Sequence, residues 1–178
     1  AEIKPHALRA YNHNFPGENV KYTNVTEIQK SDIDSFNILL GGFPCQAFSS
    51  AGVGKGFADT RGTMFFEVQR IIKDHLRSVD GFILENVEGL VTHDMRDEEI
   101  YEENGNRIGR TLATILHILR VDLNFNVSWA VLNAADYGVP QRRKRIYIVG
   151  CKKKYGEINL EFEKQLMVGT RDYIEHGL

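Results

Sequence analysis

The sequence has little cysteine and no long apolar run. Its 178 residues contain two cysteines, Cys45 and Cys151, which are too few for a disulfide framework or a zinc site and are typical of a reducing compartment. No apolar run approaches the roughly 20 residues that would span a membrane. The net charge is −2, so composition alone does not indicate a nucleic-acid-binding protein. The remaining composition predicts an ordinary soluble globular domain.

The first residues lack the features of a natural start. The chain begins Ala-Glu-Ile-Lys-Pro-His, without a methionine and without the pattern of a signal peptide. We therefore expect that an upstream part of the protein precedes these residues.

Short apolar runs alternate with helical periods along the chain. The pattern predicts helices at 5–15, from Met64 onward after a capping Thr63, and at 108–119, and strands at 36–40, 81–84, 127–132 and 145–149. This alternation is typical of an α/β layered sheet. The turn residues at 136–140 allow the last two strands to form a hairpin. The acidic stretch 93–106 is most simply a solvated loop, and the residues after Lys154 carry no clear pattern.

The stretch GGFPCQAFSSAG at 41–52 places a thiol directly after a proline, at the end of a predicted buried strand. A free cysteine is usually a small buried hydrophobic residue, and that interpretation stays open on position alone. In open α/β sheets, however, ligands bind beyond the carboxyl ends of the strands. Backbone N–H groups at such a place would stabilise a thiolate, which makes Cys45 a candidate nucleophile.

Two other kinds of site fit these residues less well. A hydrolase needs a histidine base beside the thiol, but His75, His93 and His117 lie in predicted helix or acidic loop. A phosphate-binding loop needs a glycine where Ser49 stands, five residues before the Gly-Lys pair of AGVGKG.

Three further stretches identify a family when they are taken together with Phe-Pro-Cys-Gln at 43–46. They are Arg-Gly-Thr-Met-Phe-Phe at 61–66, Glu-Asn-Val at 85–87 and Gln-Arg-Arg-Lys-Arg at 141–145. The ordered set resembles the DNA (cytosine-5)-methyltransferase family over most of residues 1–150. The resemblance implies a Rossmann-like S-adenosylmethionine-dependent methyltransferase sheet with helices on both faces, incomplete in this chain. Residues 1–150 would form the central part of the catalytic domain, and 151–178 a tail toward an absent target-recognition region.

The resemblance also implies roles for individual residues. Cys45 matches the nucleophile that attacks carbon 6 of cytosine, and Glu85 the carboxyl group that binds the ring at N3 and the amino group. Arg145 matches the residue that holds the base carbonyl, with Arg143 as its partner. Residues two apart on a strand share a face, so Arg143 and Arg145 should point the same way.

Further implied contacts lie around the DNA. The resemblance implies DNA-binding residues at Gln46, Ser49, Arg61 and Gln141, and it makes 49–56 a lid that closes during base flipping. The other basic side chains near the last strand, at 142, 144 and 152–154, are expected to face solvent or the DNA backbone. Cys151 is expected to have no role.

The implied cofactor is S-adenosylmethionine. Glu2 matches the acid that binds its ribose hydroxyls, and further implied cofactor contacts are Ile3, Asn24, Val25, Pro44 and Met64. Three features depart from the family: Asn24 replaces an aspartate, Ile3 replaces an aromatic residue, and the glycine-rich opening motif is absent. The chain therefore resembles the middle of an enzyme whose remainder is supplied in cis or by a second polypeptide. No metal and no membrane are implied.

The chemistry explains why these residue types are needed. Carbon 5 of cytosine is a poor nucleophile until a thiolate adds to carbon 6, and an acid at Glu85 with a cation at Arg145 would stabilise the resulting ring charge. The target base must flip out of double-stranded DNA to be reached. The implied function is cytosine-5 methylation in a bacterial or phage restriction–modification system, in the cytoplasm at the nucleoid. An inactive accessory subunit that binds nucleic acid, or an RNA cytosine-5 methyltransferase, remains an alternative.

Overall fold

A computed structural model describes residues 2–16, 23–44, 64–97, 99–103 and 105–165. The helices are Pro5–Asn14 (α1), Met64–Asp74 (α2) and Arg110–His117 (α3), which continues into a π-helical turn at Ile118–Asp122. The strands are Ile38–Gly42 (β1), Gly81–Val87 (β2), Tyr101–Glu103 (β3), Asn106–Ile108 (β4), Phe125–Asn133 (β5) and Lys144–Lys152 (β6). The predicted helices and strands are confirmed, with bounds shifted by a few residues, while the capping Thr63 lies outside the described ranges. The prediction that the first strand is buried is wrong, because Ile38 and Leu40 on β1 are 55% and 71% exposed. None of the helices in these ranges combines the length and apolarity needed to cross a bilayer.

Four strands form the main sheet in the order β1–β2–β6–β5. β1 runs parallel to β2, with Gly42 opposite Glu85, and α2 connects the two strands. β6 runs antiparallel to both β2 and β5, so the predicted hairpin of the last two strands is confirmed. As a result, the carboxyl ends of β1 and β2 and the start of β6 meet at one end of the sheet.

One face of the sheet carries the hydrophobic core. Alternate residues of β2 and β6 point into it, and Phe82, Leu84, Ile146 and Ile148 are buried. The apolar sides of α2 and α3 pack on this face through Phe65, Ile72, Leu112, Ile115, Leu116 and Leu119. Burial of each such side chain contributes about 1.5–3 kcal/mol. Gly150 is needed here because a Cβ at that position would overlap the Phe82 ring.

The opposite face of the sheet is open. Leu40 and Ile83 lie side by side on it, and Leu40 is 71% exposed. Ile38 and Val87 add further exposed apolar surface on the same face. Every residue of α1 also keeps part of its surface exposed. The α/β layered sheet is thus confirmed, and its open face, formed by Ile38, Leu40, Ile83 and Val87, has the composition of a surface that a covering layer would bury.

The acidic stretch is not only a loop, which corrects the prediction for 93–106. It contains the β3–β4 hairpin, with Gly105 at a φ of +74° in the turn. Arg120 donates to both carboxylate oxygens of Glu103, at 2.7 and 3.0 Å, and to the carbonyl oxygen of Val127 at 2.7 Å. The side chain of Arg120 therefore connects the hairpin to β5 through hydrogen bonds to both.

Candidate active site

Glu85 and Arg145 meet at the end of the sheet where β1 and β2 terminate. Val87 lies opposite Arg145 in the β2–β6 pairing, so Glu85 and Arg145 are diagonal neighbours on the same face. The Nε of Arg145 lies 2.9 Å from Oε1 of Glu85, and the Nη2 of Arg143 lies 3.9 Å from the same oxygen. The prediction that the two arginines point the same way is confirmed.

The Glu85 carboxylate is both held and accessible. Its side chain is 37% exposed, while that of Arg145 is 22% exposed. The Nη1 of Arg145 also donates to the carbonyl oxygen of Lys144 at 2.7 Å, so the guanidinium is fixed from two sides. Because such partly exposed pairs contribute only about 0–1 kcal/mol to stability, the main effect of the arrangement is to fix the orientation of the carboxylate.

A glycine leaves the space that this carboxylate occupies. A Cβ on Gly42 would lie 3.2 Å from Oε2 of Glu85, closer than ordinary contact. A Cβ on the preceding Gly41 would meet only Leu84, at an ordinary 3.6 Å. A side chain at position 42 would therefore crowd the Glu85 carboxylate, whereas a side chain at position 41 would not.

Asn86 is a residue of the site that sequence reasoning did not single out. It is 4% exposed and points away from Glu85, toward the core face. Its Nδ2 donates to the carbonyl oxygen of Phe43 at 2.7 Å, and its Oδ1 accepts from the N–H of Val87 at 2.8 Å. Phe43 is two residues ahead of Cys45 in the sequence, so Asn86 links the Glu85 strand to the backbone that leads to the thiol.

The turn that carries Arg143 is also organised by an asparagine. The N–H of Arg143 donates to Oδ1 of Asn133 at 3.0 Å, and the N–H of Gln141 donates to the carbonyl oxygen of Val139 at 2.7 Å. The carbonyl oxygen of Asp136 accepts from the N–H of Gln165 at 2.9 Å. The chain after β6, which the sequence left unplaced, thus returns to support this turn.

A cleft of about 620 Å³ adjoins the Glu85–Arg145 pair. Lys144 on its wall forms an ion pair with Glu88, with an Nζ–Oε1 distance of 3.1 Å. Its lining is predominantly polar and includes Val87, Glu88, Gly89, Asn133, Ala135, Asp136, Arg142, Lys144 and Arg145. Three basic side chains therefore surround an opening of the size of a small-molecule site.

Two of the lysines expected to face solvent or DNA lie far from the Glu85–Arg145 pair. Lys152 lies seven residues beyond Arg145 on β6, about 24 Å away, and both Lys152 and Lys154 pair with Asp80 at Nζ–Oδ1 distances of 3.5 and 3.2 Å. The hydrogen bond from Lys154 is the main cause that holds the pKa of Asp80 below its ordinary value. The expectation is wrong for Lys152, whose side chain is only 25% exposed, whereas Lys154 is 60% exposed and faces solvent as expected. Strand length carries both lysines to the far end of the sheet.

The residues implied for the cofactor come together only in part. The N–H of Thr23 donates to the carbonyl oxygen of Glu2 at 3.2 Å, which brings the Asn24 segment beside Glu2. The side chain of Asn24 is engaged in capping a short helical turn, where its Oδ1 accepts from the N–H of Thr26 at 3.2 Å. Ile3 is 54% exposed. A carboxylate beside an exposed apolar side chain fits the ribose and base of a nucleoside, so the residues present fit this part of the cofactor.

The remaining predicted site residues are distributed as follows. Pro44 is exposed just after β1, and Met64 begins α2 and packs against the core. Cys151 lies opposite Gly81 at the far end of the sheet from Glu85. Outside the described residues lie Cys45, Gln46, Ser49 and Arg61, together with the lid predicted at 49–56, so their roles stay predictions.

The family follows from comparison with known proteins. The family model of the C-5 cytosine-specific DNA methylases matches residues 1–174. This chain belongs to that family. It is 51% identical over all 178 residues to the type II methyltransferase M.NlaIV of Neisseria lactamica, and 50% identical over the same length to M.NgoBV of Neisseria gonorrhoeae. The chain spans 39% of the length of each relative.

Two solved structures share the fold of this chain. A mutant of Spodoptera frugiperda DNMT2 superposes with a TM-score of 0.63 at 23% identity, covering 94% of this chain and 47% of that one. A putative DNA modification methyltransferase from an Escherichia coli prophage gives a TM-score of 0.66 at 21% identity, covering 97% and 46%. The predicted Rossmann-like methyltransferase fold is thereby confirmed, although within the described residues α2 and α3 both pack on one face of the sheet rather than on both faces.

Proposed function

We propose that this protein transfers a methyl group from S-adenosylmethionine to carbon 5 of a flipped-out cytosine in DNA, through a covalent bond to Cys45. The observation that carries the proposal is the Glu85 carboxylate, held 2.9 Å from Arg145 at an open end of the sheet in a chain of the C-5 cytosine methylase family. The similar proteins are named type II methyltransferases. Those names favour a DNA-modifying enzyme over an accessory subunit or an RNA methyltransferase.

The catalytic steps follow from the chemistry of the ring. The Cys45 thiolate forms an S–C6 bond, and the electron pair of the C5–C6 double bond moves toward carbon 5 and N3. Glu85 donates a proton toward N3, and Arg145 binds the carbonyl oxygen where negative charge collects. Carbon 5 would take the methyl group that S-adenosylmethionine supplies, which leaves S-adenosylhomocysteine. A water molecule then takes the carbon-5 proton, the electron pair of that C–H bond re-forms the C5–C6 double bond, the S–C6 bond breaks to release the Cys45 thiolate, and N3 returns its proton to Glu85.

The cofactor and the DNA use separate parts of the structure. When bound, S-adenosylmethionine supplies an electrophilic methyl group. Glu2 would bind its ribose hydroxyls, and Ile3 would pack against its base. The cleft beside Arg145 would receive DNA, with Arg142 and Lys144 close to phosphate groups.

The test uses the full-length protein that contains these residues. With DNA that carries 5-fluorocytosine, the enzyme should form a covalent adduct, because fluorine on carbon 5 cannot leave as a proton does. Cys45→Ala should abolish both the adduct and methyl transfer while cofactor binding persists. The matched control, Cys151→Ala, changes the same residue type at the far end of the sheet and should leave both intact. Full activity in Cys45→Ala, or an adduct on Cys151, would contradict the proposal.

A further inference from the structure

The pairing of β1 with β2 ends two residues before a proline. Gly42 and Glu85 are the last paired residues, and Phe43 and Pro44 follow. Proline has no N–H group to donate, so the regular ladder cannot extend along this part of the chain. Phe43 itself is 5% exposed, which means that its carbonyl oxygen needs a partner within the protein.

Asn86 provides that partner from the adjacent strand. Its Nδ2 lies 2.7 Å from the carbonyl oxygen of Phe43. The orientation of the amide is fixed, because its Oδ1 accepts from the N–H of Val87 at 2.8 Å and the NH₂ group must therefore face Phe43. The ring of Phe43 packs against Phe65 of α2, with centroids 5.5 Å apart. Phe43 is thus held through its backbone by β2 and through its side chain by α2.

We propose that Asn86 is a positioning residue, which holds the backbone that leads to Cys45 in register with the Glu85 carboxylate. Glu85 and Asn86 are consecutive residues whose side chains leave β2 on opposite faces. Glu85 would contact the flipped-out cytosine, and Asn86 holds the backbone that precedes the proposed nucleophile, Cys45. The inference rests on the proposed function, because it concerns the geometry between its two reacting groups.

The variant Asn86→Asp preserves the size and the acceptor but replaces the donor with a carboxylate oxygen facing a carbonyl. Asn86→Ala removes the amide without adding charge. In the full-length enzyme, each should slow adduct formation with 5-fluorocytosine DNA, and kcat, by roughly 10²-fold, the typical effect of a displacement of about 1 Å between reacting groups. The KM for S-adenosylmethionine and the affinity for DNA should change by less than about threefold, since Asn86 contacts neither in this scheme.

A matched control separates positioning from general destabilisation. Thr111→Val removes a side-chain hydrogen bond of another buried polar residue, 2.7 Å between Oγ1 of Thr111 and Nδ1 of His93. Its effect on the thermal midpoint should resemble that of Asn86→Ala, whereas its adduct rate should stay that of the wild type. All assays are run at a temperature where circular dichroism shows the variants folded.

The outcomes distinguish this inference from the proposed function. If the wild type forms the adduct and both Asn86→Ala and Asn86→Asp form it at the same rate, the positioning role is overturned and the proposed function is not. An equal loss of rate in Thr111→Val would also overturn it, because any buried hydrogen bond would then suffice. Absence of an adduct in the wild type would overturn the proposed function and this inference together.

Discussion

Oε1 of Glu85 lies 2.9 Å from Nε of Arg145, across the antiparallel pairing of β2 and β6. If the pair stabilises charge on an attacked ring, its loss should lower turnover more than DNA affinity. Glu85→Gln keeps the shape but removes the acid, and it should reduce the rate by roughly 10²-fold or more. Single-turnover methyl transfer with saturating DNA measures the effect.

Lys144 offers the control for this prediction. It neighbours Arg145 in sequence but pairs with Glu88 at 3.1 Å. Lys144→Ala should act mainly through salt-dependent DNA binding and leave the single-turnover rate almost unchanged. Equal and small effects of Glu85→Gln, Arg145→Ala and Lys144→Ala would contradict the assignment.

Gly42 and Gly41 make a second, internally controlled test. Alanine at position 42 would place a methyl group 3.2 Å from Oε2 of Glu85, so the carboxylate that contacts Arg145 would have to shift by a few tenths of an ångström. We expect Gly42→Ala to lower kcat by roughly tenfold, comparable to about 1.4 kcal/mol of transition-state stabilisation. Gly41→Ala, with an ordinary 3.6 Å contact to Leu84, should stay within about twofold. Equal rates for the two variants would show that the space at Gly42 has no function.

Much of the sheet was predictable because short apolar runs between turn residues indicate strands. The period of two along a strand also carried a signal for Asn86, which follows Phe82 and Leu84 at the core-facing positions of β2. A polar side chain at such a position must find a hydrogen-bond partner, although the sequence cannot say which. The β3–β4 hairpin also had a signal, an Asn-Gly pair at 104–105, which is typical of tight hairpin turns.

Contacts between distant side chains were not predictable in the same way. The pairing of Lys152 and Lys154 with Asp80 depends on the antiparallel direction of β6, which places the two ends of one basic run at opposite ends of the sheet. Likewise, the hydrogen bond from Arg70 to the carbonyl oxygen of Val25 joins residues 45 positions apart in the sequence. Local periodicity contains no information about such partners.

Arg70 should matter for cofactor binding although it belongs to none of the family's motifs. Its Nη2 donates to the carbonyl oxygen of Val25 at 3.1 Å, while Glu67 holds the same guanidinium from one turn earlier. Arg70→Met should weaken S-adenosylmethionine binding by roughly fivefold, because a net hydrogen bond contributes about 1 kcal/mol. Titration calorimetry on the full-length protein measures the affinity. Arg96→Met, which removes a similarly exposed arginine paired with Asp94, should leave it unchanged, and an equal loss there would contradict the role of Arg70.

Asp80 should make stability depend on pH at the acid end. Its folded-state pKa is lowered, chiefly by the hydrogen bond from Lys154, with Tyr155 and Asn37 also contributing and partial burial opposing. A lowered pKa stabilises the fold above the unfolded value, near 4, and this contribution is lost as the pH falls through the folded value. The difference in unfolding free energy between wild type and Asp80→Asn should therefore be present at neutral pH and disappear in strong acid. Urea unfolding at several pH values tests this, and a difference independent of pH would contradict it.

The open face of the sheet predicts that residues 1–178 are active only when a further layer covers that face. Ile38 and Leu40 are 55% and 71% exposed on β1, a strand at the edge of the described sheet, and the chain spans 39% of its relatives. An apolar face beside an unpaired edge is normally covered. We therefore expect no measurable tritiated methyl transfer to genomic DNA by residues 1–178 alone, and restoration when the remaining part is supplied in cis or as a separate chain.

Leu40→Lys provides an independent readout: it should be nearly neutral for the isolated chain, but it should destabilise the full-length protein by about 2 kcal/mol or more, because a charge would then be buried. Turnover by the isolated chain comparable to that of the full-length protein, or equal tolerance of Leu40→Lys in both, would show that the open face is left uncovered in the working enzyme.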